Sequence, residues 1–245
     1  NVVQCKHVNS LLHEISPSLT FDKQTAIVLT DESLLQPLLH SLPQSVAENV
    51  NVTMGYPLRQ TTAYSFIERL IELQKNARHT NGKTSFYHVD VTGILSHPYI
   101  TEAFGDCVRD LHKKIIEGRY IRIEKEFFEE YKGLDVIFTP TNNYKELSVY
   151  LLNVLDMLAG HCIEATDNEE EIRENNSLKL SYISLIADNI TKLDNCLKKC
   201  DIELSTSIYT SLLRRHLQNE RIPFSGEPLQ GLQVMGILET RNIDF

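Results

Sequence analysis

Few groups of residues in this 245-residue chain have the types and spacing that catalysis or ligand binding requires. Gly82-Lys83-Thr84 matches the end of a phosphate-binding loop, in which the lysine meets nucleotide phosphates and the hydroxyl meets magnesium. The full pattern needs a glycine five positions earlier and a preceding strand. This chain has Ala77 there and a helical pattern before it, so no nucleotide loop is expected. Cys196 and Cys200 fall one helical turn apart and His161 adjoins Cys162, but no Cys-x-x-Cys or His-x-x-x-His completes a metal site. Buried thiols are the expectation for them. The carboxylate runs Glu129-Glu130 and Glu169-Glu170-Glu171 have no lysine arranged for a nuclease triad, and no Gly-x-Ser-x-Gly elbow occurs. No catalytic residue and no metal ligand is therefore assigned.

Two loops remain, each directly after an expected strand. Gly55-Tyr56-Pro57-Leu58-Arg59-Gln60-Thr61 sets Arg59 beside a threonine cap, Thr61, at a helix N-terminus, a place suited to anions. Thr240 and Arg241 follow the closing strand and would serve the same sheet edge. The plainer alternative is a rigid turn carrying a solvated arginine. Basic residues also gather at His112-Lys113-Lys114 and from Arg119 to Lys125, with Tyr120 between them. This stretch reads as a local nucleic-acid groove or as the solvated faces of two helices.

The elements that must hold these loops begin as α/β. A helix is expected around Val8 to Ile15, a strand at Thr25 to Leu29, a helix over Ser33 to Leu42 and a β-type run at Asn51 to Met54. An amphipathic helix follows from Thr61 to about Lys75. Two strands separated by a helix make a parallel βαβ unit the natural reading. Arg78 to Lys83 is polar and contains glycine, so it reads as a linker. Beyond it the pattern is mostly helical, near Val89 to Leu95, Ile100 to Ile116, Tyr144 to Gly160, Asn175 to Leu197 and Ser205 to Gln218. Short β-type runs at Arg119 to Ile123 and Leu134 to Phe138 interrupt it. Leu178, Leu180, Ile183, Ile186, Ile190, Leu193 and Leu197 recur at helical spacing and define one buried face. Pro223, Gly226 and Pro228 mark a second linker before the run Gln233 to Leu238, which reads as a buried strand. The expected domains are an α/β part at residues 1–78, a helical insertion at 79–222 and a return strand within 223–245.

Hydrophobic content of 42% and charged content of 23% are those of an ordinary globular protein. A net charge of −9 argues against nucleic-acid binding over the whole surface but leaves room for a local groove. No run of about 18 apolar residues occurs, so no membrane span is expected. Five cysteines at irregular spacing fit reduced thiols in a cytoplasm, which makes the sequons at Asn51, Asn175 and Asn189 chance matches. The closing strand runs into a polar turn and stops at Phe245, which reads as an internal piece of a larger protein.

Thr25-Ala-Ile-Val-Leu-Thr-Asp-Glu32, Asn51-Val-Thr-Met-Gly-Tyr-Pro-Leu-Arg59 and Gly226 to Arg241 resemble the helicase-like part of a bacterial helicase-nuclease. The similarity is to AddB-like proteins of the PD-(D/E)XK nuclease family, relatives of the RecB and UvrD helicases. It brackets almost the whole chain, while the helical middle matches in general character alone. The resemblance implies an α/β, partly RecA-like fold: a second helicase domain with a parallel sheet, interrupted by a largely helical insertion. In UvrD-like helicases, to which the resemblance extends, the chain returns with a strand leading to a Thr-x-His-x-x-Lys-Gly-Leu-Glu-Phe motif. Gly236, Leu238, Arg241, Asn242, Ile243, Asp244 and Phe245 would fall on its Thr, His, Lys, Gly, Leu, Glu and Phe. Leu238 and Gly236 depart from it, which implies a degenerate motor. Arg241 keeps a positive charge and Asp244 keeps the carboxylate that resembles a ribose contact, a nucleotide-binding position. By resemblance, the function would be that of a helicase/exonuclease in DNA double-strand-break repair and recombination. Single-stranded DNA would be guided near Arg59, Thr61, Thr240 and Arg241. An AddA-like helicase subunit would be the partner, and ATP and Mg would belong to the parent protein. The competing reading is a non-catalytic module that docks a partner.

Overall fold

The computed structural model describes residues 2–21, 24–47, 49–131, 133–164, 170–200, 202–222, 231–237 and 240. In chain order the elements begin with α1 (Val2–Ile15), β1 (Ala26–Leu29), α2 (Leu35–Leu39), α3 (Gln44–Ala47), β2 (Val50–Val52) and β3 (Tyr56–Pro57). There follow α4 (Thr62–Asn76), β4 (Arg78–Thr80), β5 (Lys83–Tyr87), α5 (His88–Leu95), α6 (Pro98–Phe104), α7 (Asp106–Glu117) and β6 (Arg122–Glu124). The chain closes with α8 (Leu134–Ile137), α9 (Tyr144–Glu164), α10 (Glu170–Cys200), α11 (Thr206–Asn219), β7 (Arg221–Ile222) and β8 (Leu232–Gly236). Two compact units result, one from residues 1–56 with 221–245 and the other from 57–220.

The first unit is α/β. Its sheet has the order β1-β8-β2, all parallel, with Ala26 opposite Gln233 on one side of β8 and Asn51 opposite Gln233 on the other. The sequence pattern predicts β1 and β2 as neighbours, but the strand from the far end of the chain lies between them. All five residues of β8 are buried, the pattern of a central strand flanked on both sides. Leu232 and Val234 join Val52, Leu29, Leu35, Leu38, Leu42 and Leu12 in one apolar cluster. Burying each such side chain contributes on the order of 1.5–3 kcal/mol. On the opposite face Asn51 Nδ2 donates to Gln233 Oε1 at 2.6 Å, an amide pair joining strands 182 residues apart in sequence. Gly231 precedes β8 with φ +65°, and a Cβ there would lie 1.7 Å from the Asn49 carbonyl oxygen. That oxygen accepts the Leu232 N–H at 3.0 Å, so the strand's entry requires glycine.

The second unit is helical around α9, against which α4, α6, α8, α10 and α11 pack. By length and composition alone α9 is apolar enough to cross a membrane, over Tyr144–Ile163, a test that a buried core helix also passes. Its Leu147, Leu151, Val154, Leu155 and Leu158 are buried inside this unit. Four features differ from expectation. Helix α4 belongs to the helical unit, since its apolar stripe Phe66, Ile67, Leu70 and Leu73 is fully buried there. Arg78 to Lys83 is not a linker but the hairpin β4–β5, with Arg78 opposite Ser85 and Thr80 opposite Lys83. Asn81 and Gly82 have φ of 52° and 76°, the two left-handed residues that an Asn-Gly hairpin turn requires. The run expected as a strand at Leu134 to Phe138 holds α8, with Phe138 as its C-cap, and Gly105, at φ +53°, breaks the expected helix over Ile100 to Ile116 into α6 and α7. In α10, Ile183, Ile186, Ile190 and Leu197 are buried as the periodicity predicts, but Leu178 is half exposed.

Candidate nucleic-acid interface

Three parallel strands end at one edge of the first unit's sheet, so the segments after β1, β2 and β8 leave from the same side, where open α/β sheets hold ligands. After β1, Asp31 caps a short 3-10 turn: its Oδ1 accepts from the Ser33 hydroxyl at 2.7 Å and from the Ser33 N–H at 3.0 Å. Those bonds hold its carboxyl below the usual aspartate range. Glu32 pairs with Arg221. After β2, Gly55 lies under the Arg221–Ile222 backbone, where a Cβ would come 2.8 Å from Arg221 Cβ. Burial pushes the Tyr56 hydroxyl above its ordinary pKa. After β8, Thr240 is half-buried and its hydroxyl donates to the Ile237 carbonyl at 2.8 Å. Arg241 and Asp244, the other residues expected here, lie outside the described residues, as does Leu238.

Arg59 and Thr61 fall in the helical unit. Arg59 is exposed in a 3-10 turn, Leu58–Gln60, immediately before α4. Thr61 is the expected cap: it accepts the Tyr64 N–H at 3.1 Å and donates to the Leu58 carbonyl at 2.7 Å. At 6% exposure its hydroxyl is committed to the helix start.

The basic stretch divides by role. Arg122 turns inward, where Nε donates to Ser85 Oγ at 3.0 Å and Nη2 donates to the Ser85 and Asn76 carbonyls at 2.6 and 3.0 Å. It joins β6, β5 and the end of α4. Lys114 Nζ donates to the Tyr131 hydroxyl at 3.0 Å, and Lys113 sits 3.8 Å from Glu117. Arg119 is exposed and holds a left-handed φ of 49°. Glu117, Glu124, Glu126, Glu129 and Glu130 are interleaved with these cations, so the stretch carries little net charge.

The remaining motifs resolve into structure. In Gly82-Lys83-Thr84, Lys83 pairs with Glu124 at 2.8 Å and Thr84 Oγ1 lies 3.0 Å from His79 Nδ1. Cys196 and Cys200 are exposed and Cys162 is half-buried, against the expectation of buried thiols, because they lie off the buried stripe of α10 and the core face of α9. Burial still raises the Cys162 thiol pKa. Among the described residues no group of three or more His, Cys, Asp or Glu side chains is placed to hold a metal. Asn51 and Asn189 are buried, so neither sequon is accessible to a glycan in the fold.

Sequence reasoning missed two arrangements. His97, 5% exposed, has Nε2 3.0 Å from Ser65 Oγ, the spacing of a nucleophile and its base. Its Nδ1 accepts the Tyr99 N–H, so the ring proton is on Nε2 and donates to Ser65, whose own hydroxyl donates to the Thr62 carbonyl at 2.8 Å. In that tautomer the histidine cannot accept the serine's proton. Burial, reinforced by Arg69, lowers its pKa to about 4. His97 caps α6, and its partner 32 residues away in sequence offered no spacing signal. The second arrangement is a cleft of about 540 Å³ in the helical unit, between α4, β4, the 141–142 turn and α11.

Comparison with family models, with curated proteins and with solved structures finds no match to this chain.

Proposed function

We propose that this chain is the second, RecA-like lobe of an AddB-like helicase-nuclease acting in DNA double-strand-break repair and recombination, with its helical insertion. Its task is to guide single-stranded DNA in a cytoplasmic complex with an AddA-like subunit, with catalysis, ATP and Mg left to other parts of the assembly. One observation carries the reading. Strand β8, which follows the helical unit in sequence, inserts in parallel between β1 and β2, so an α/β lobe is interrupted by a largely helical unit and then completed. The resemblance implies that order of events. The exposure of Arg59 at the head of α4 supports it as a backbone-reading position; Arg241 as a further backbone contact and Asp244 as a nucleotide contact are assigned from sequence alone.

The test is fluorescence anisotropy of a labelled single strand at low and high salt, with the chain and an Arg59→Ala, Arg241→Ala variant. Phosphate contacts release counterions, so affinity should fall with salt at a log–log slope of about −0.7 per phosphate neutralised. The variant should bind more weakly and show a shallower slope. Absence of binding at low salt would sink the DNA reading.

A second reading, a partner-docking module, is favoured by the apolar surface of the helical unit. Tyr87, Val89, Ile116, Tyr120 and Ile121 are between 38% and 70% exposed, beside a basic stretch whose charge is locally balanced.

A further inference from the structure

The exposed apolar side chains of the helical unit meet where α5, α7 and β6 join. The His88 N–H donates to the Ile121 carbonyl at 3.1 Å, and Tyr87 stands opposite Arg122 across β5 and β6. Ser96 Oγ lies 3.4 Å from His112 Nε2, so the start of α5 lies beside the end of α7. Val89, on the first turn of α5, and Ile116, on the last turn of α7, therefore flank Tyr87 and Ile121. Tyr120 completes the face. Its ring lies over Gly118, where a Cβ would come 2.3 Å from Tyr120 Cε2, and its centroid is 5.6 Å from that of Phe127. Held between Gly118 and Phe127, the tyrosine has little rotamer freedom left to lose when a partner covers it.

Single exposed apolar side chains are ordinary, whereas several at one junction mark a contact surface. The charge around this one selects the partner. Two chains of net charge −9 repel each other at long range. Residues 112–131 carry five Lys or Arg and five Asp or Glu, so this is ground on which that repulsion is least. A strongly basic or strongly acidic partner finds no complementary field here. A second copy does, because a two-fold contact sets the cations of each chain against the carboxylates of the other.

We infer that the face formed by Tyr87, Val89, Ile116, Tyr120 and Ile121 associates with the same face of a second copy of this chain, giving a two-fold dimer. The inference rests on the partner-docking reading and names its partner. Five such side chains offer on the order of 500 Å² per copy, short of the roughly 800 Å² that each partner contributes to a standard interface. The dimer is therefore transient, with a dissociation constant of about 10–100 μM.

The experiment is sedimentation equilibrium of the whole chain across concentrations on both sides of that constant, at low and high salt. A reversible monomer–dimer equilibrium is expected, and it should tighten with salt, because screening weakens the repulsion between two acidic chains. Ile116→Lys and Ile121→Lys alter positions 58% and 70% exposed and make the chain less acidic. Reduced repulsion alone would tighten the dimer, so a dissociation constant raised by about tenfold or more reports loss of the apolar face. Val3→Lys, the same charge change on α1 of the other unit, should not weaken association. Thermal melts matching the parent chain would show that the variants fold. A dimer that persists in both folded variants, or that weakens with salt, overturns this face as the contact. A monomer at every concentration overturns the second copy as its occupant, and binding of anilinonaphthalene sulfonate then separates the two readings. Dye binding lost in Ile121→Lys keeps a docking face for another partner, whereas dye binding unchanged in that variant removes the docking reading as well.

Discussion

Arg122→Ala separates a structural arginine from a ligand-binding one. In sequence, Arg122 sits inside a basic stretch that invites a nucleic-acid role, yet its guanidinium makes three hydrogen bonds within the chain, to Ser85 Oγ, Ser85 O and Asn76 O. Hydrogen bonds from a charged donor contribute roughly 1.5–3 kcal/mol each when buried. The side chain is only half-buried, so water replaces part of what is lost, and the three bonds share one charge. The expected net cost is about 2 kcal/mol. For a chain of this size that lowers the melting temperature by roughly 4–8 °C. Arg122→Lys should recover little, because an ammonium cannot reproduce the planar fork that reaches a hydroxyl and two carbonyls. Thermal melts followed by circular dichroism, with Lys113→Ala as the exposed control, measure this directly. Single-strand binding by the folded variant should match the parent chain. An unchanged melting temperature combined with lost strand binding would refute the inward assignment and return Arg122 to the interface.

Two further outcomes follow from burial and backbone geometry. Gly231→Ala should disrupt the entry of β8, since φ +65° and a Cβ at 1.7 Å from Asn49 O both oppose a side chain, and the cost should exceed about 2 kcal/mol; retention of the parent melting curve would contradict the β1-β8-β2 order. His97 is held neutral in the fold, with its pKa lowered from 6.5 to about 4, so the unfolded chain binds more protons between those values. Stability is therefore full above about pH 6.5 and declines as pH falls toward 4, by at most about 3 kcal/mol. Urea midpoints between pH 7 and 4.5 should show a weaker pH dependence in His97→Asn than in the parent, and identical slopes would remove His97 from the account.

Much of the fold is written in local pattern, and its failures have identifiable causes. The helices α4, α5, α9 and α11 follow from 3.6-residue periodicity, and Thr61 is recognisable as a cap from its type and position. Strand β1 and the apolar run of β8 are legible from composition, since a sheet selects β-branched and aliphatic side chains. The hairpin at Asn81-Gly82 was also legible, because Asn-Gly is a specific turn signal, although the polar character of Arg78 to Lys83 masked it. Leu134 to Phe138 was not: a short apolar run is equally a strand or one turn of buried helix until its neighbours are known.

By itself the sequence determined an α/β part interrupted by a mainly helical stretch, the positions of most long helices, and the lack of a complete catalytic motif. Only the tertiary structure decided which strand is central, because β8 reaches its place through the Asn51–Gln233 pair across 182 residues, a contact with no local signature. Packing likewise turned Arg122 inward, fixed the His97 tautomer through Tyr99, and assembled one cleft from residues between Ile71 and Arg214. Periodicity reports which face of an element is buried, whereas pairing, side-chain partners and cavities depend on which distant element covers that face.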